Sequence, residues 1–159
     1  MKRYRIYPIM ALLALGSLAG CMKKDDPFID RVAAPVLVVI DNATGDGGGL
    51  TAEPVVSQKV TGPVVMGVRI YELDKSGILD NKVGIDSIPV TSLTVRLTTR
   101  DGKALGDLKT DGTGKASLTK TWAELGVTAP RAGSSVQLTW SGEYKGQAFS
   151  RLSRVQGVN

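Results

Sequence analysis

The chain has 159 residues, with 20 Lys and Arg against 15 Asp and Glu, one cysteine and no histidine, which leaves room for one domain and a short leader. The missing histidine excludes Ser-His-Asp and Cys-His catalysis, and a single cysteine excludes a disulfide framework and argues against zinc or copper sites. Three basic residues and no acids precede Cys21, so a chain cut there drops from a net charge of +5 to +2; no basic stripe is left to bind nucleic acid.

The first predicted element is that leader. Lys2, Arg3 and Arg5 precede an uncharged apolar run from Ile6 to Gly20, the order of a secretory signal peptide. The run contains Pro8 and is shorter than the ~20 apolar residues a membrane span needs. It ends on Leu18-Ala19-Gly20-Cys21, which resembles the lipobox of bacterial lipoproteins. That resemblance implies cleavage after Gly20, recognition through Leu18, Ala19 and Gly20, and a diacylglycerol on the Cys21 thiol. A thiolate is the right nucleophile for the acyl donor, and two or more acyl chains hold a protein on a bilayer where one gives only marginal binding.

Residues 21–34 read as a charged tether broken by Pro27, so the expected division is signal peptide 1–20, lipidated tether 21–34 and domain 35–159. Lys24-Asp25-Asp26 resembles the export signal of Bacteroidota surface lipoproteins, and Met22 stands where inner-membrane lipoproteins of enterobacteria carry Asp. Both imply an outer-membrane location, with the cell surface favoured over the periplasmic face.

From Pro35 the hydrophobic period is close to two. Pro35–Asp41 reads as a short apolar strand, and Gly47–Gly49 as a flexible loop, since no Gly-Lys-Ser/Thr follows to make a phosphate loop. Pro63–Leu73 places Val64, Met66, Val68 and Ile70 on one face and Arg69 and Tyr71 on the other. The next segment, from Glu72 to Asp86, offers Asp74, Asp80, Asn81 and Asp86 as oxygen ligands for Ca²⁺. Its interleaved Lys75 and Lys82 and the lack of EF-hand spacing favour plain turn chemistry, so no metal is assigned.

Val90–Thr99 alternates again, with Leu93, Val95 and Leu97 inward. Asp101-Gly102 closes a hairpin, and a Gly-rich turn at Asp111–Gly114 leads to a strand carrying Ala116 and Leu118. Thr121 and Glu124 have capping-box spacing, which predicts one helical turn at Trp122–Leu125 ended by Gly126 and lying over one end of a sandwich. A terminal hairpin turns at Lys145-Gly146, with Val136, Leu138 and Trp140 on its apolar face.

About seven strands, one helical turn and many glycine turns give an all-β class, an antiparallel immunoglobulin-like β-sandwich. The stretch Pro89–Leu118 resembles bacterial Ig-like and transthyretin-like or carboxypeptidase-regulatory-like modules in its order of strand, DGK turn and TDGTGKA turn. Turn chemistry of this kind implies a fold, not an activity.

The four glutamates, Glu53, Glu72, Glu124 and Glu143, look scattered, so no carboxylate pair is assigned, no cofactor is implied and the expectation is a non-catalytic module. Tyr71 and Tyr144 are the candidate ligand-binding residues, as exposed rings able to stack on sugars. The expected function is a lipid-anchored outer-membrane protein displaying an interaction or structural module. Its partners are membrane lipid, through acylated Cys21, and a protein or glycan of the envelope. Two alternatives stay open: a glycan-binding accessory of a polysaccharide-uptake system, and a periplasm-facing assembly subunit docked through a sheet edge.

Overall fold

A computed structural model describes residues 34–44 and 53–159. The leader, Leu18-Ala19-Gly20, Cys21, Lys24-Asp25-Asp26, the tether up to Ala33 and the Gly47–Gly49 run lie outside the described residues.

Ten strands form two sheets among the described residues: β1 (Leu37–Ile40), β2 (Ala43–Thr44), β3 (Val55–Lys59), β4 (Val64–Asp74), β5 (Asp86–Pro89), β6 (Thr94–Thr99), β7 (Ala104–Lys109), β8 (Lys115–Lys120), β9 (Ser135–Tyr144) and β10 (Gln147–Val158). One sheet is built on β4, which pairs with β1, β5 and β8; the other runs β2-β3-β10-β9-β6-β7. Val68 pairs with both Ile40 of β1 and Ala116 of β8, and Tyr71 with both Leu37 of β1 and Pro89 of β5. Thus β1 lies along one side of β4, and β8 followed by β5 along the other.

This is the expected all-β sandwich of two sheets, and it departs from expectation in three places. The strand count is ten rather than about seven, because β2, β3 and β5 are short segments that lack a long alternating run. The β3–β10 pair is parallel while every other pair is antiparallel. The predicted helical turn at Trp122–Leu125 does not become a helix. Its capping box forms: Thr121 N donates to Glu124 Oε2 at 2.8 Å, and Glu124 N donates to Thr121 Oγ1 at 3.3 Å. A single four-residue bond follows, from Leu125 N to Thr121 O. Gly126 then turns the backbone to a φ of 94°, too soon to offset the cost of nucleating a helix.

The core follows from alternation. Val64, Met66, Val68 and Ile70 of β4 meet Val95 and Leu97 of β6, Val136, Leu138 and Trp140 of β9, and Val155 of β10, all buried in one cluster. Trp140 keeps its one polar atom satisfied by donating Nε1–H to the buried Ser153 hydroxyl at 2.9 Å. On the outer face of the β4 sheet, Asp41 lies over Gly67, where an added Cβ would sit 3.0 Å from Asp41 Oδ2. It receives Arg69 Nε at 2.9 Å and Lys115 Nζ at 3.3 Å, tying β1, β4 and β8 together.

The TDGTGKA turn is an arch that carries the chain from β7 in one sheet to β8 in the other. Asp111 Oδ1 accepts the backbone N–H of Thr113 and Lys115 and the Thr113 hydroxyl, which holds this carboxyl below its usual range. Gly114, at a φ of 75°, passes so close to β4 that a Cβ there would lie 2.6 Å from Ile70 O. Only glycine meets both demands.

Candidate functional site

The two ends of the sandwich differ. Because β1 is antiparallel to β4 with Leu37 opposite Tyr71, the chain joins the domain beside the Asp74 end of β4. The β4–β5 loop and the β9–β10 turn share that end. At the far end stand the β6–β7 turn and the β8–β9 connection.

At the joining end, alternation puts Glu72 on the same face as Ile70 and Tyr144 on the same face as Trp140, so both point between the sheets where the core runs out. There the Tyr144 hydroxyl donates to Glu72 Oε2 at 2.7 Å, and Lys145 Nζ lies 2.5 Å from Glu72 Oε1. The Lys145 ammonium also sits 5.2 Å from the Tyr144 ring centroid. Lys145, and then the Tyr144 hydroxyl, hold the Glu72 carboxyl below its ordinary value. The carboxylate in turn raises the pKa of both Tyr144 and Lys145. The cluster clips β9 to β4 and is an ionised, hydrogen-bonded latch rather than an acid or base poised near neutrality.

Of the two tyrosines proposed to bind a ligand, Tyr144 is half-buried against the core with its hydroxyl engaged. Tyr71 is half-buried on the opposite, outward face of β4 with Arg69. The structure therefore does not bring the two rings to one platform. The Glu72–Tyr144 contact escaped the sequence reading because the pair is 72 residues apart; the parity of each on its strand was the available signal.

The acidic loop residues serve the backbone. Asp74 Oδ1 accepts Ser76 N–H, Asp80 Oδ1 accepts Lys82 N–H and Asp86 Oδ1 accepts Ser87 N–H. No group of three or more His, Cys, Asp or Glu side chains able to hold a metal occurs among the described residues.

At the far end, Trp122 and Leu125 are buried and close the core. Trp122 Nε1 donates to Lys59 O at 3.1 Å, and Lys103 Nζ donates to Glu124 O at 2.7 Å, so three connections are fastened together. Beside this plug lies an open groove of about 630 Å³, with Arg100 and Asp101 on one wall and Leu125 and Val127 on the other. A second open groove, about 480 Å³, runs across β6, β7, β9 and β10 and includes Asp107, Glu143 and Phe149. Arg96 Nε holds Asp107 at 3.0 Å. The sheet edge at β7 carries Asp107 and Lys109, both exposed, charges of the kind that discourage strand addition.

Compared with known proteins, the chain matches no protein family, no curated protein and no solved structure.

Proposed function

We propose that the chain is a bacterial lipoprotein, held on the outer membrane through acylated Cys21, that displays its β-sandwich as a non-catalytic binding or structural module. The observation that carries this reading is Leu18-Ala19-Gly20-Cys21 placed directly behind a basic and then an apolar segment. Acyl chains supply attachment, residues 22–33 supply reach, and the sandwich supplies a rigid frame for its loops.

The side-chain chemistry of the domain supports the non-catalytic part. Glu53 pairs with Arg154 at 2.7 Å, Glu72 with Lys145 and Tyr144, and Glu124 with Thr121 and Lys120. Three of the four glutamates are thus spent on structure. The open groove at the far end, with charged and apolar walls, is the surface we assign to a protein or glycan partner of the envelope.

Fractionation of cells making the Cys21→Ser chain tests the anchor: the variant is expected to leave the membrane fraction, and unchanged partitioning would refute the proposal. Protease treatment of intact cells reads the face, with digestion expected for surface display and protection for the periplasmic side. A glycan array separates sugar from protein partners.

A further inference from the structure

The β4–β5 loop, Lys75–Ile85, exposes apolar side chains. Leu79 is 99% exposed, Val83 66% and Ile78 55%. The loop is nonetheless built. Ile78 N–H donates to Lys75 O, Asp80 N–H to Gly77 O, and both Val83 and Gly84 N–H to Asp80 O. Gly77 lies against Val83, where an added Cβ would fall 2.3 Å from Cγ1. Four turn bonds and two Asx turns thus hold a small knob with Leu79 at its tip.

Its place in the fold indicates what covers it. The chain joins the domain at this same end, since the residues before Leu37 run alongside β4 towards Asp74. Twelve residues separate Cys21 from Ala34, a reach of about 45 Å when fully extended. A bilayer holding Cys21 thus lies no farther than that length of chain from the joining end. Asp74 and Asp80 turn a carboxylate oxygen to the loop's own N–H groups; Lys75 and Lys82 are exposed beside the apolar tip, as are Asp74, Asp80 and Asp86, so the loop carries no excess positive charge and it is the apolar tip that suits acyl chains. A few side chains on one hairpin fall short of the roughly 800 Å² per partner that a stable protein interface buries, which disfavours a second copy as the occupant.

We propose that this loop is a second membrane contact, inserting Leu79 with Ile78 and Val83 into the bilayer that carries Cys21 and so orienting the far-end groove away from it. The inference rests on the lipid-anchor reading.

The test uses the full lipidated protein with Leu79→Cys. Because Cys21 bears the lipid, the new thiol takes an environment-sensitive fluorophore alone. Ala123→Cys, exposed at the far end, is the control. In phosphatidylethanolamine and phosphatidylglycerol vesicles containing spin-labelled lipid, the probe at position 79 is expected to shift to the blue and be quenched several-fold more than the probe at 123. Equal, water-like emission at both positions would overturn the inference. A blue shift without lipid quenching that grows with protein density would assign the loop to a second copy and overturn it too. Mass spectrometry and flotation of the same material read the anchor separately: acylated, vesicle-bound protein with a water-exposed probe defeats only the loop insertion, whereas unacylated protein that does not float defeats both.

Discussion

The β4–β5 loop and the β8–β9 connection are made of similar parts and end differently. Each strings together hydrogen-bonded turns, each uses a carboxylate to cap backbone N–H groups, and each carries apolar residues. In the β8–β9 connection Trp122 and Leu125 turn inward and seal the core. In the β4–β5 loop Ile78, Leu79 and Val83 stand in the open. Turn bonds fix the shape of a connection, but whether its apolar side chains become plug or knob depends on whether a core lies beneath. The domain thus buries its apolar connection at one end and exposes it at the other.

The largest expected effect separates plug from knob. Trp122→Ala should lower unfolding free energy by about 3–5 kcal/mol, since it opens a cavity and removes the indole hydrogen bond to Lys59 O, whereas Leu79→Ala should change it by no more than about 0.5 kcal/mol. Urea unfolding of the two variants measures the difference. Similar losses would erase the contrast.

A smaller effect asks whether the joining end is rigid beneath the knob. Gly114→Ala forces a residue with a Cβ into a positive φ and against Ile70 O, and should cost about 1–3 kcal/mol. Gly77→Ala, which strikes only Val83 and Gly84 within the loop, should leave the urea midpoint in place and raise amide exchange over residues 75–85. A shifted midpoint would show the loop to be part of the frame.

The smallest effect is a titration at the plug. The Thr121 backbone N–H, then Lys120 and the Thr121 hydroxyl, bring the Glu124 carboxyl from its ordinary 4.5 to about 2. A depressed folded value means that the contribution is fully present above the unfolded pKa and fades as pH falls from 4.5 towards 2. Glu124→Gln should therefore melt lower than the parent at neutral pH, with the two converging near pH 2. A gap independent of pH would deny the carboxylate its capping role.

Alternation made most of the frame legible. Val64 to Ile70, Val95 with Leu97, and Val136 to Trp140 lie in the core where period two put them. What escaped had no such signal. Strand β5 has all four residues exposed, and β3 is recruited by a parallel register with β10 that lies about a hundred residues away in sequence. The Thr121–Glu124 capping box was readable, but Gly126 stopped the turn before a helix could pay back its nucleus. Exposed tyrosines were expected at 71 and 144, yet the Tyr144 hydroxyl found Glu72 across the sheets, a meeting that only the tertiary fold arranges.

The two-ended account stands on the proposed attachment at Cys21, and intact mass spectrometry of the protein purified from the cells that make it measures it most directly. The expected species begins at Cys21 and carries the added mass of a diacylglyceryl thioether. A chain that begins at Met1 with an unmodified thiol would contradict the account.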